Sequence, residues 1–359
     1  MKRLLFLMII TSLLTACTEK KIVDELGLIN GVSYDLSDQE DQYFITVSFP
    51  KTSEKTSEYH AKVIATNAKS SKEAKMKLMQ KTNFNLVSGQ ARLALFGEEV
   101  AKKGIYNIVE SLLRDPSIGS RIYLAVASST GNEILNKKLI DEPDNVFYIF
   151  SLLDKAQMQN STPSINLYEF TRDYYDDGID PILPVFKTLD NEITLDGYSI
   201  FDDDRSITRI KGQNVQLLFI LRKSIKNGNL YFELDSGEKI MLSYFKSKRD
   251  IQVKNKSSLK VDVHVHGQIQ EYDGKKDLTD KKQIKELEKE MSDYLNEKLN
   301  TLIELLQENH TDPIGFGQYV RNDSTFEDWK KINWNETYKN LSIDVKSTIK
   351  ISDIGKVKR

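Results

Sequence analysis

The chain contains one cysteine, Cys17, among 359 residues. A lone thiol excludes an intramolecular disulfide. Once that thiol is modified, it also excludes a cysteine nucleophile and a thiolate metal site, so stability must come from packing. No charge sign dominates: 51 Lys and Arg stand against 53 Asp and Glu, a formal charge of −2. This leaves no basic surplus for nucleic acid or for a strongly anionic lipid surface. Long apolar runs are missing from the body of the chain, where the most apolar stretch, 217–221, falls far short of the ~20 residues that span a bilayer. Catalytic signatures are missing as well. There is no Gly-x-Ser-x-Gly, no P-loop and no His-Glu-x-x-His. The run Gly315-Phe-Gly317 lacks the third glycine of a dinucleotide fingerprint and has no clear leading strand. The residues thus assemble no nucleophile, base and oxyanion site, and the expectation is a non-enzymatic protein without catalytic residues, cofactor or metal.

What the sequence does have begins at its first residues. Lys2 and Arg3 precede an apolar run, 4–14, and then Leu14-Thr-Ala-Cys17. A basic segment, a run too short to span a bilayer, and small residues before a cysteine form a lipoprotein signal. The expectation is a signal peptide over 1–16 and a lipidated tether over 17–21. Cys17 would become an N-acylated S-diacylglycerol cysteine holding the chain to a membrane. Each buried methylene contributes roughly 0.8 kcal/mol, and the diacylglyceryl group brings two chains, so the anchor needs no transmembrane helix. Loss of Lys2 and Arg3 with the signal takes the formal charge from −2 to −4.

At 39% hydrophobic and 29% charged residues, the remainder reads as globular, with length for two or three domains. Strands are expected at 26–34, 43–49, 62–66, 91–96 and 122–127. Between them lie a helix opened by Ser70-x-x-Glu73, a helix over 98–114 and a short one near 132–137. This alternation predicts an N-terminal α/β domain over 22–138. Residues 139–190 read as a small, mostly helical middle region, with a helix at 147–157 and a turn or linker near Pro181 and Pro184. Residues 191–359 read as an α+β domain. Its elements are a strand at 193–201, a helix at 213–225, extended segments at 230–234, 241–246, 251–255 and 259–269, and a final strand at 341–351. One long helix over 281–309 carries an apolar stripe from Ile284 to Leu306. These elements predict an antiparallel sheet with that helix on one face. No internal repeat or low-complexity tract is present.

Three groups could carry chemistry. His264 and His266 share one strand face and could ligate a metal, yet no third ligand stands nearby and Asp262 and Gln268 mark that face as solvated. Asp173, Asp176, Asp177 and Asp180 cluster around Gly178, and Asp202 to Asp204 form a second cluster. Neither has the spacing of an EF-hand, and both read as turn chemistry. Trp329 and Trp334 follow the long helix and are expected to pack against it.

Four places, taken in order, resemble the Ger(x)C family of spore germination lipoproteins, the C subunits of GerA-type nutrient germinant receptors. The first is the lipobox with Asp24-Glu-Leu-Gly-Leu-Ile-Asn-Gly-Val-Ser-Tyr-Asp35. The second is Leu112-Leu-Arg-Asp115 with Arg121-Ile-Tyr-Leu-Ala-Val-Ala127 and Glu133-Ile-Leu135. The third is Leu195-Asp-Gly-Tyr-Ser-Ile-Phe201. The fourth is Asp312-Pro-Ile-Gly-Phe-Gly-Gln-Tyr319 with Trp329-Lys-Lys-Ile-Asn-Trp334 and Leu341-Ser-Ile-Asp-Val-Lys346. Thr18, in place of an aromatic after the cysteine, and Tyr198 with Ser199 in the third motif depart from the family pattern. The resemblance implies a three-domain ectodomain and a non-enzymatic subunit on the outer face of the spore inner membrane. It also implies A and B integral membrane subunits as partners, and a complex responding to amino acids, sugars or nucleosides. Gly315, Gly317, Trp329 and Trp334 are then structural motif residues. Two other readings are a solute-binding lipoprotein of an importer, which needs two similar α/β lobes around a cleft, and an envelope hydrolase, which needs the missing catalytic set.

Overall fold

The computed structural model describes residues 25–52, 59–140, 142–158 and 165–354. Cys17, the expected signal peptide and the expected tether lie outside the described residues.

The stretch expected as one strand at 26–34 is two. β1 (Leu26–Leu28) pairs in parallel with β5 (Asn85–Val87), and β2 (Gly31–Leu36) enters a different, eight-stranded sheet. There β2 lies between β3 (Tyr43–Thr52), which continues to β4 (Tyr59–Ala68), and the parallel strands β6 (Leu93–Gly97), β7 (Tyr123–Ala127) and β8 (Ile182–Leu189). β9 (Glu192–Asp202) and β10 (Arg205–Ile210) complete the far edge in antiparallel fashion. β6 and β7 are buried at every position, as central parallel strands covered on both faces must be.

Helices supply the cover. On one face lie α1 (Ser71–Met79), α2 (Glu98–Lys103), α3 (Tyr106–Arg114) and, after the next two helices in sequence, α6 (Leu167–Tyr175). On the other lie α4 (Gly131–Asn136) and α5 (Asn145–Met158), packing Ile134, Leu135, Val146 and Ile149 on Leu93, Leu95 and Phe186. Local signals set several boundaries. Ser70 caps α1 by accepting from Glu73 N at 3.2 Å, and Asn166 with Glu169 forms a full capping box on α6.

The second sheet has the order β11 (Gly228–Glu233), β12 (Lys239–Asn255), β13 (Ser258–Tyr272), β14 (Ser342–Asp353). α8 (Lys281–Glu308) lies along it, burying Leu287, Met291, Leu295, Leu299, Leu302, Ile303 and Leu306. The other helices of this part are α7 (Gln213–Arg222), α9 (Phe316–Asp323), α10 (Phe326–Trp329) and α11 (Trp334–Lys339). Leu217 to Leu221 of α7 are all buried, as befits a helix enclosed between two units. Its Phe219 meets Tyr198 of β9 edge-on, ring centres 4.9 Å apart.

Several expectations need correction. β14 runs parallel to β13, so the C-terminal sheet is mixed; the chain crosses over through α8, which a parallel pair requires. Residues 139–190 hold α5 and α6 but also β8. The expected division at 190/191 passes through the β8–β9 hairpin, and the strand expected to open the last domain belongs to the large sheet. Pro184, expected at a turn, sits inside β8 opposite Tyr198. The two extended segments at 241–246 and 251–255 are one strand, bent by an irregular register between Ser243 and Lys246 where Tyr244 takes φ 51°.

The helix expected over 98–114 is two, α2 and α3, broken at Gly104. Gly104 has φ 120°, which L side chains rarely adopt, and Ile105 N donates to Asp204 O at 3.0 Å. A Cβ there would come within 2.6 Å of Asp204 Oδ2. Gly104→Ala is therefore expected to cost about 1–3 kcal/mol, and not to yield a longer, more stable helix. A urea midpoint equal to the parent's would refute this.

Candidate functional site

The fourth sequence motif is positioned by the way α8 ends. His310 takes the left-handed conformation, φ 56°. Thr311 N donates to Leu306 O and His310 N to Gln307 O, each at 3.1 Å, which is the Schellman pattern of a helix C-terminus. This turns Thr311 and Asp312 inward, and both are buried.

Asp312 is the hub of the motif. Its Oδ1 accepts from Gly315 N at 2.9 Å, and its Oδ2 accepts from Gly317 N at 2.8 Å and Trp334 Nε1 at 3.2 Å. Gly315, at φ 83°, caps α9, so this carboxylate folds the turn and begins the helix together. Trp334 stacks obliquely between Trp329 and Tyr338, ring centres 5.8 Å from each. The tie of this segment to the long helix is Gln307 Nε2, which donates to Tyr338 O and Leu341 O, both at 2.8 Å. Trp329 is buried, at 8% exposure, and Trp334 closes over Gly317.

Opposite this turn lies the first aspartate cluster. Gly178 and Gly317 meet backbone to backbone. A Cβ on Gly317 would come within 2.5 Å of Gly178 Cα, and one on Gly178 within 2.5 Å of the Gly317 carbonyl carbon. Around that contact the two segments exchange hydrogen bonds. Gln318 N donates to Gly178 O at 3.1 Å and Asp180 N to Asp312 O at 2.9 Å, while Asp312 N donates to Asp180 Oδ2. Gln318 Nε2 reaches Asp176 Oδ2 at 2.6 Å, and Arg321 bonds both Asp176 Oδ1 and the Asp177 carbonyl. Deeper in, Arg222 at the end of α7 joins Asp173 Oδ2 to the Pro313 carbonyl. Three of the four clustered aspartates, Asp173, Asp176 and Asp180, thus hold partners from the C-terminal unit. The turn reading holds for Asp176 and Asp177, but Asp173 is a buried residue of α6, and the reading missed those partners. Arg222, the one charge closing an apolar helical run, was the available signal.

The second cluster is also structural in its contacts: Asp204 Oδ2 accepts from Tyr106 N at 2.9 Å, and Asp203 takes φ 52° in the β9–β10 turn. His264 and His266 lie exposed on the open face of β13, opposite Lys248 and Lys246 of β12 and Thr348 and Lys350 of β14. Among the described residues, no group of three or more His, Cys, Asp or Glu is arranged to hold a metal.

An open cleft of about 430 Å³ borders the junction, with Asp176, Asp180 and Asp203 along one wall and Trp329, Asn333 and Trp334 along the other. Burial pushes Asp180 up to about 8, helped by the neighbouring Asp312, Asp202 and Asp203 and opposed by the Asp312 N–H. Burial pushes Asp312 up to about 6 against the donors from Gly317, Phe316, Gly315 and Trp334. Both carboxyls therefore hold protons in the folded state that the unfolded chain releases near pH 4. Their contribution to stability is complete below that pH and is lost as pH rises through about 6 and then about 8. In Asp180→Asn the amide oxygen can still accept from Asp312 N, but the proton linkage is gone. Its thermal midpoint is expected to fall less than the parent's between about pH 6 and about pH 9. Parallel curves for the two proteins would contradict this protonation.

The architecture is that of a multi-domain α+β protein built on two unlike large sheets, of eight and four strands, with a two-stranded one beside them. Residues 19–188 match the spore germination protein N-terminal domain, and residues 196–355 match the spore germination B3/GerAC-like C-terminal family. The chain belongs to the Ger(x)C family of spore germination proteins. It is similar to the spore germination protein GerQC of Bacillus cereus, 27% identical over 361 aligned positions that cover 99% of each chain. It is also similar to the putative spore germination protein YfkR of Bacillus subtilis (strain 168), at 21% identity over 97% of this chain and 95% of that one. The crystal structure of the GerBC protein shares the fold, with a TM-score of 0.58 at 17% identity over 91% of this chain and 99% of that one.

Proposed function

We propose that the protein is the lipid-anchored C subunit of a spore nutrient germinant receptor. It would act without catalysis beside two integral membrane subunits, on the outer face of the spore inner membrane. The observation that carries this reading is the match of both family domains, in order, along nearly the whole chain. The site supports a mechanical part in that receptor. The carboxylates of the junction are engaged by backbone amides, Arg222, Arg321 and Trp334, and no nucleophile and base stand together there. No helix among the described residues is long and apolar enough to cross a membrane. Attachment through Cys17 accounts for membrane residence without one. An importer's solute-binding protein would have two similar lobes, whereas here an eight-stranded mixed sheet adjoins a four-stranded one.

The test is genetic. Spores lacking the chain are expected to lose dipicolinate release to one class of nutrient, with other classes unaffected. Complementation with Cys17→Ala is expected to leave the chain uncleaved or free of the membrane and the response unrestored. Unchanged release to every nutrient would refute the receptor role, and normal membrane retention of Cys17→Ala without its partners would refute the anchor.

A further inference from the structure

A second cavity lies far from the junction, between the large sheet and the helices α1 and α3. Its floor is apolar, formed by Val32, Ile45, Val47 and Leu112, and its volume is about 60 Å³. Its uncharged polar lining is made by Tyr34, Ser71, Ser88 and Ser111, of which the Tyr34 hydroxyl and Ser71 Oγ lie 2.9 Å apart and satisfy each other. The mouth is different. Lys72, Lys75 and Asp115 line it, two cations against one carboxylate. Asp115 is already engaged: its Oδ1 accepts from Ser117 N at 2.9 Å and Ser117 Oγ at 2.6 Å. Those bonds first, and then Lys75 and Lys72, hold its carboxyl below the usual range, so it stays ionised. Among the described residues neither lysine makes a direct hydrogen bond or close ion pair, and both are attracted to Asp115 at longer range. An apolar chamber therefore opens under a rim with a net positive charge, two ammonium groups that share the single carboxylate of Asp115.

We propose that this cavity binds a short-chain carboxylate, its alkyl group on the floor of Val32, Ile45, Val47 and Leu112 and its carboxylate between Lys72 and Lys75. The size follows from the volume. One water-sized group needs about 10–15 Å³, so the chamber takes a body of about four to six such groups and not a long acyl chain. The sign follows from the rim. An alkylamine would set a third cation beside Lys72 and Lys75, and a neutral alcohol would leave the net positive charge of the rim unmatched. The alkyl part supplies affinity through burial, and the charged end fixes orientation, the usual division in small-molecule sites. This site does not depend on the receptor reading, and its test reads binding alone.

The experiment is calorimetric titration of the purified full chain with butyrate, n-butylamine and n-butanol at equal ionic strength. Butyrate is expected to saturate one site, with the amine and the alcohol at least about tenfold weaker, the equivalent of ~1.4 kcal/mol. Lys72 and Lys75 are surface positions of α1, so the double variant Lys72→Ala/Lys75→Ala should fold as the parent does and bind butyrate at least about tenfold more weakly. Ser111→Leu, on the wall formed by α3, should abolish binding by filling the chamber. A parent-like thermal midpoint in each variant shows that binding, not folding, has changed. The proposal is overturned if butyrate gives no saturable signal, if butylamine or butanol binds as well, or if the lysine variant binds like the parent.

Discussion

The backbone contact between Gly178 and Gly317 is the constraint on which the rest of the junction depends. With no Cβ on either residue, the loop after α6 and the first turn of α9 approach until their main chains touch. That approach brings Asp180 within reach of Asp312 N and places Gln318 and Arg321 over Asp176. It also leaves room for the Trp334 indole to cover Gly317 and donate to the Asp312 carboxylate. A methyl group at either glycine would force the two segments apart and stretch several of these bonds together. Packed interiors accommodate added volume poorly, so the cost would be shared by the whole set.

This arrangement makes the two sheets one mechanical object. α7 lies between them as an apolar plug, and its last residue, Arg222, reaches both Asp173 and the Pro313 carbonyl. Removing one partner from such a buried ion pair typically costs about 3–5 kcal/mol, because the other charge is left uncompensated. For the proposed receptor role, the junction is where the N-terminal unit and the C-terminal sheet are tied together. The raised protonation of Asp180 and Asp312 adds a dependence on pH at the same place.

Much of the fold is legible in the sequence where a single element carries its own signal. The stripe of α8, the alternation of β3 and the cap at Ser70 each reflect local periodicity or a local hydrogen bond, and each lies where that signal points. Other features escape because their cause lies elsewhere in the chain. β8 contains Pro184 and reads locally as a turn, yet it is a strand because β7 and β9 flank it. Gly104 breaks a helical pattern because Asp204, a hundred residues on, occupies the space beside it. The glycine and tryptophan motif is visible as a motif, and the aspartate cluster as a cluster. That one docks on the other is not, since Asp176 and Arg321 are 145 residues apart and no periodicity links them.

A double-mutant cycle on Gly178→Ala and Gly317→Ala, read by urea unfolding of the full chain, tests the central claim most directly. If the two backbones are in contact, each single substitution should cost about 1–3 kcal/mol. The pair should cost less than the sum by about 0.5–3 kcal/mol, because the first methyl already forces the segments apart. Fully additive losses, or single variants as stable as the parent, would contradict the account.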